Sequence, residues 1–177
     1  EVFRRAAAAG ADSVLLLRPK PAGRGRLIYP RIKPSVEQLR QLVPLILEMG
    51  ERFSLPFHLD CALAPLVLGS GLDVGTLTLL GASGCIAGDL LATVDARGVV
   101  HPCSHLAGEL GEVAALEEAW HGHPHLELLR KRRILSDGEC AGCRIRELCR
   151  GGCAAVRAYY RLAEGERDPD VWCGHGP

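Results

Sequence analysis

Apolar positions along the chain fall into two styles. Up to residue 80 they recur with the spacing of alternating helices and strands. Glu1 to Ala9 suits the end of a helix, Gly10 a left-handed stop, and Ser13-Val14-Leu15-Leu16-Leu17 a buried strand. A loop rich in breakers follows, with Pro19, Pro21, Gly23 and Gly25. Ser35 opens the next helix, and Gln38 stands three residues on, as a capping box requires. Val36, Leu39, Leu42, Val43, Ile46, Leu47 and Met49 keep helical spacing, Pro44 should kink the helix, and Gly50 ends it. Phe57 to Cys61 reads as a second buried strand. Helix, strand, helix, strand with short loops implies a parallel α/β layer, and two strands are too few to close a barrel.

From residue 81 the pattern shortens. Leu90 to Val94 and Val99 to His101 flank Asp95-Ala96-Arg97-Gly98, which predicts a β-hairpin turning at the glycine. Leu116 to Trp120 and Leu126 to Arg133 read as helices broken near Gly122 and Pro124. A cysteine-bearing loop spans Cys140 to Gly152. Ala154 to Leu162 reads as a helix, and a polar tail runs on to Cys173.

Composition narrows the function classes. Apolar residues make up 47% and charged residues 24%, which is ordinary globular usage. Lysine plus arginine balances aspartate plus glutamate at 21 each, so no charge excess draws the chain to nucleic acid or acidic lipid. Apolar runs such as Val14 to Leu17 and Ala62 to Leu68 are too short to span a bilayer. Arg4-Arg5 before the alanine run only faintly suggests an export signal, because Gly10 and Asp12 interrupt it. The expectation is a cytoplasmic protein with no membrane partner. Because the chain starts at Glu1 and not at methionine, more sequence is expected upstream.

Cysteine changes the picture most. There are eight, at positions 61, 85, 103, 140, 143, 149, 153 and 173, and seven of them lie after residue 80. A disulfide framework is the plain reading of an even count. No secretion signal accompanies it, and the length allows a core without staples, so metal is the better reading. The order is Cys85-x12-Gly98-x4-Cys103, a gap, Cys140-x2-Cys143-x5-Cys149-x3-Cys153, a gap, then Cys173. Cys-x2-Cys lets one tight loop aim two thiolates at one centre. Gly98 lets the hairpin turn, so that Cys85 and Cys103 return to one place. Gly151-Gly152 lets backbone come close to a bulky group before Cys153 starts a helix. Seven thiolates exceed one tetrahedral zinc and fall one short of two sites made of cysteine alone.

This pattern resembles the seven-cysteine signature of SPASM domains, the C-terminal extensions of radical S-adenosylmethionine enzymes that modify peptides or build cofactors. The match covers residues 84–173 in order, with Trp120 between and Asp168-Pro169 before the last cysteine. Ala154 stands where arginine is common, and Gly111-Glu112-Val113 replaces a usual Gly-Asn-aliphatic. The resemblance implies two auxiliary iron–sulfur clusters, expected as four-iron cubanes. Cys85, Cys103 and Cys153 would serve the first, and Cys140, Cys143, Cys149 and Cys173 the second. The first is then one cysteine short. Asp89 and Cys61 are the nearest candidates by chemistry, although neither stands in a motif position.

By the same resemblance, residues 1–80 are expected to be the C-terminal piece of a partial (β/α) barrel, and residues 81–177 the small α+β cysteine-rich domain. The stretch Arg18-Pro19-Lys20-Pro21-Ala22-Gly23-Arg24 is similar to a Pro-x-Gly-Arg segment after a late barrel strand. No Cys-x3-Cys-x2-Cys occurs in the chain, so the ligands of the S-adenosylmethionine cluster are expected upstream. The implied whole enzyme uses S-adenosylmethionine and a further four-iron cluster, takes a peptide substrate, and needs an external electron donor.

Simpler roles are set beside these. Cys61 reads as a buried apolar thiol on a strand, outside both cysteine groups. His121, His123 and His125 read as a solvated interhelical loop, since Gly122 and Pro124 break any common face. Arg130 to Arg133 reads as a solvated helix end. Arg144, Arg146 and Arg150 either offset cluster charge or line the surface. Trp120 and Trp172 read as packing residues. Against the iron–sulfur reading stands a zinc module using Cys140, Cys143, Cys149 and Cys153 or Cys173, which leaves Cys85 and Cys103 without a role. A stand-alone electron carrier leaves the strand–helix region before residue 80 without one.

Overall fold

The computed structural model describes residues 1–68, 72–131, 140–143 and 145–162. Cys173, Trp172, Arg132, Arg133, Arg144 and Asp168-Pro169 lie outside the described residues.

The N-terminal region carries helix α1 (Val2–Ala8), strand β1 (Val14–Leu16), helices α2 (Gly25–Ile32) and α3 (Val36–Phe53), strand β2 (Phe57–Leu59), then helices α4 (Ala64–Leu68) and α5 (Val74–Leu79). β1 and β2 pair in parallel, with Val14 opposite Phe57 and Leu16 opposite Leu59. Parallel strands need a crossover, and α2 with α3 provides it. Val14, Leu39, Val43, Ile46, Phe57 and Leu59 form the core between sheet and helices. Leu15 and Leu17 point away from it, 59% and 65% exposed, so β1 is buried on one face and not on both as its apolar run suggests.

Capping chemistry fixes α3. The Ser35 hydroxyl accepts from the Gln38 amide, and the Gln38 side chain accepts from the Ser35 amide. The helix does not end at Gly50, however. It runs to Phe53 and stops at Ser54, which takes the left-handed conformation at φ 47°. Gly50 has a different use: a β-carbon there would sit 3.0 Å from the Phe57 ring, so the glycine lets strand β2 lie close against the helix. Pro44 lies inside the helix without ending it.

The sequence predicts a loop with Pro19, Pro21, Gly23 and Gly25 and no helix between it and Ser35, whereas α2 occupies Gly25–Ile32. Its sequence has little helical signal, with Pro30 inside it and Leu27 and Ile28 exposed. A tertiary contact decides it instead. Tyr29 is fully buried, and its hydroxyl accepts a 2.9 Å hydrogen bond from the Arg18 guanidinium.

From residue 81 onward, β3 (Thr93–Val94), β4 (Val99–His101) and β5 (Gly111–Glu112) form an antiparallel sheet in the order 3-4-5. The predicted hairpin is β3–β4, with Gly98 at φ 82°. The third strand carries no period-two pattern in the sequence. Helices α6 (Leu116–Gly122) and α7 (Pro124–Lys131) follow, and Val100, Leu110, Ala119 and Leu126 make a second core. Arg130 is not a solvated helix end. Its guanidinium donates to the Gly88 carbonyl at 2.8 Å and stacks over Trp120. Helices α8 (Arg146–Cys149) and α9 (Ala154–Tyr160) complete the described chain. Ile145, Leu148 and Cys149 pack against the N-terminal core, so the last cysteine segment lies on the first region.

Candidate metal centre

In parallel sheets, functional groups gather beyond the carboxyl ends of the strands. Here β1 leads to Lys20 and β2 to Asp60, and the two side chains form a largely buried ion pair tying the loops together. Burial alone would push the Lys20 ammonium down. Its bond to Asp60, helped by the negative charge that Cys153 and Cys61 can carry, outweighs this and raises it. Asp60 also accepts from the Ala62 amide at 3.0 Å, which fixes the turn that presents Cys61.

The Cys61 finding corrects the sequence reading. Strand β2 stops at Leu59, so Cys61 sits in the turn beyond it. Its thiol is not isolated in the apolar core. It hydrogen-bonds to the sulfurs of Cys153 and Cys85, and these bonds together with burial push its pKa up. Cys153 moves the other way, to about 7, because the Cys61 thiol donates to it; the Val156 amide and Lys20 also favour its thiolate. Cys153 packs with Ala62, Ala155 and Val156, and Cys61 lies against that group.

Backbone brings Cys85 to this place. The Gly84 amide donates to the Leu148 carbonyl at 2.8 Å, and the Cys85 amide to the Gly152 carbonyl at 3.3 Å. The two segments are so close that a β-carbon on Gly84 would lie 1.8 Å from the Cys149 oxygen. Arg150 clamps the same segment, donating to the Cys85 carbonyl at 3.2 Å and pairing with Asp89 at 2.8 Å. Of the two readings offered for this arginine, neither describes that clamp.

Cys103 follows β4 as predicted. Its sulfur accepts from the His105 amide at 3.5 Å and faces the His105 ring at 3.7 Å. Leu106, on the same turn, packs against Cys153's group, which sets the Cys103 loop alongside the other thiols. Desolvation lowers the His105 pKa, the nearby Lys20 lowers it further, and Asp60 opposes both.

A second gathering forms around Cys149. Cys140 and Cys143 share a tight turn closed by a 3.0 Å bond from the Cys143 amide to the Cys140 carbonyl. Cys149, at the end of α8, is close enough to feel both. Burial pushes its thiol up to about 11, and the negative charges of Cys140 and Cys143 add to the rise, against the Gly151 and Gly152 amides that hydrogen-bond it. Those amides turn inward because Arg150, Gly151 and Gly152 are all left-handed, at φ 52°, 71° and 70°. Cys173, the fourth residue expected here, lies outside the described residues.

The donor set thus comprises seven thiols in the described residues, drawn from four stretches of chain, with backbone amides facing sulfur. Soft thiolates with amide donors suit an iron–sulfur group. Among the described residues no three His, Cys, Asp or Glu side chains stand at the spacing of a single metal ion. His121 is exposed while His123 and His125 are half-buried, and the His123 ring accepts from the His125 amide at 3.2 Å. Sequence reasoning named Cys61 as a candidate but set it outside both cysteine groups, and it missed the Lys20–Asp60 pair and Gly84. The one available signal was a glycine directly before a motif cysteine.

No helix among the described residues is long and apolar enough to cross a membrane. The chain is 30% identical to the mycofactocin maturase MftC of Mycolicibacterium smegmatis over 184 aligned residues, covering 98% of this chain and 43% of that protein. The mycofactocin maturase MftC of Mycobacterium ulcerans is 29% identical over 91% of this chain and 42% of its own. That of Mycobacterium tuberculosis is 28% identical over 90% and 40%. The chain therefore spans about two fifths of the length of the curated relatives it matches. No family model matches the chain, and no solved structure does.

Proposed function

Because the chain belongs to the radical S-adenosylmethionine/SPASM family, we propose that it supplies the auxiliary iron–sulfur portion of an enzyme that modifies a ribosomally made peptide or builds a peptide-derived cofactor. The observation that carries this reading is the sorting of the motif cysteines. Cys85 and Cys153 both reach the Cys61 thiol, whereas Cys140 and Cys143 act on Cys149. Cys85, Cys103 and Cys153 would hold the first auxiliary cluster. Cys140, Cys143, Cys149 and Cys173 would hold the second. When bound, such clusters supply one-electron transfer.

In the whole enzyme, reductive cleavage of S-adenosylmethionine gives a 5′-deoxyadenosyl radical that abstracts hydrogen from the peptide, with an external electron donor required. Residues 1–80 form the end of the partial barrel and residues 81–177 the cluster domain. The parallel β1–β2 pair, its outward Leu15 and Leu17, and the site at the strands' carboxyl ends support that division. The relatives' names, which speak of mycofactocin maturation, favour the cofactor-building variant.

Anaerobic reconstitution of the chain should bind about eight iron atoms with matching sulfide, as two four-iron clusters require. Stoichiometric zinc without iron–sulfur absorption would refute the proposal.

A further inference from the structure

We propose that Cys61 is the fourth cysteine ligand of the first auxiliary cluster, beside Cys85, Cys103 and Cys153. This rests on the function proposed above, which leaves that cluster one cysteine short.

Three observations converge on Cys61. The first is direct contact, since its thiol reaches the sulfurs of both Cys85 and Cys153. The second is backbone. Gly152 lies against the Cys61 turn, where a β-carbon would come within 3.7 Å of the Cys61 carbonyl and 3.0 Å of Pro65, while the Gly152 carbonyl holds the Cys85 amide. One main-chain bond, from Cys85 to Gly152, and the close packing of Gly152 on the Cys61 turn thus hold the three segments side by side. The third is charge. Each added thiolate makes a cluster more negative, and the Lys20 ammonium stands where it acts on both Cys61 and Cys153.

The competing side chains are engaged otherwise. Asp89 has a side chain only 7% exposed and pairs with Arg150, the residue that also holds the Cys85 carbonyl. Its carboxylate therefore anchors the cysteine segment. His105 directs its Nδ1 to Cys103 and to Ser104, within its own loop.

The test compares the reconstituted chain with C61A, C61S, D89N, H105A and the control C153A. Iron and sulfide are counted before and after brief oxidation, and the clusters are followed by EPR. With four thiolates the wild type should keep its iron. C61A should fall from about eight iron atoms to about seven and develop the signal of a three-iron cluster. D89N and H105A should behave as wild type, and C153A should also damage the first cluster. Serine keeps the size of the side chain, so if C61A fails to fold, an altered EPR spectrum of the reduced first cluster in C61S supports ligation and an unchanged one overturns it. The inference is equally overturned if C61A matches the wild type, if D89N or H105A loses the iron instead, or if the wild type itself loses one iron as readily as C61A. Those results leave the two-cluster reading standing. Zinc without iron in the wild type overturns both.

Discussion

Replacing Gly84 by alanine probes the joint between the two cysteine groups. The added methyl would lie 1.8 Å from the Cys149 oxygen, 2.5 Å from its carbonyl carbon and 2.9 Å from the Arg150 β-carbon. These are main-chain atoms or lie next to it, so no flexible side chain can swing away. Restoring ordinary contact requires the segments to part by roughly 1.6 Å. That movement breaks the Gly84–Leu148 hydrogen bond at 2.8 Å and the Cys85–Gly152 bond at 3.3 Å. Two backbone bonds at about 1 kcal/mol each, with overpacking of about 1–3 kcal/mol, give a loss of about 3–5 kcal/mol. For a chain of this size that corresponds to a melting temperature lower by roughly 10 °C. Cys85 should also move away from Cys153, weakening iron retention at the first cluster. Gly142→Ala is the matched control, because nothing lies within 4 Å of its β-position in the Cys140–Cys143 turn. Anaerobic thermal unfolding with iron analysis decides. Equal stability and iron content in the two variants would refute the close-approach argument.

Three further outcomes are expected. Lys20→Met strands the Asp60 carboxylate in a site where its side chain is only 10% exposed, and should cost about 3–5 kcal/mol by denaturant unfolding, while the double variant K20M/D60L recovers much of it. The lysine's folded pKa is raised, so the pair's contribution is fully present below the unfolded lysine value and fades only as pH rises through the higher folded one. A loss of the pair's contribution on acidifying from pH 9 to 7 would contradict this assignment. Incubated with S-adenosylmethionine and dithionite, the reconstituted chain should give no 5′-deoxyadenosine above a protein-free control, since it has no Cys-x3-Cys-x2-Cys. Turnover by the chain would show that its cysteines are misassigned.

The sequence is legible wherever the chemistry is local. Ser35 and Gln38 cap α3 as their spacing requires, Gly10 and Gly98 take left-handed turns, and the strand–helix alternation yields a parallel pair. What was not legible depends on contacts made across the fold. Helix α2 exists because Arg18 reaches Tyr29, a pairing invisible to periodicity. Gly50 looked like a stop because glycine often is one, yet it serves the approach of Phe57. Cys61 looked apolar because it follows Phe57-His58-Leu59 with no partner nearby in sequence. Its neighbours Cys85 and Cys153 arrive only when the second region folds onto the first. Spacing motifs record ligands that share a loop; a ligand contributed by a distant strand end leaves no spacing to read.

The meeting of Cys61 with Cys153 also has a consequence in time. The two are separated by roughly 90 residues, so during synthesis Cys61 precedes its partner by about 5 to 20 seconds. Helices α8 and α9, which bring the late cysteines, are the last described elements to emerge. Until then Cys61 and Cys85 are unshielded thiols open to oxidation or to capture of a stray metal. Under oxygen, slowing synthesis through residues 86–153 should therefore lower the yield of loaded protein without changing the stability of the molecules that finish.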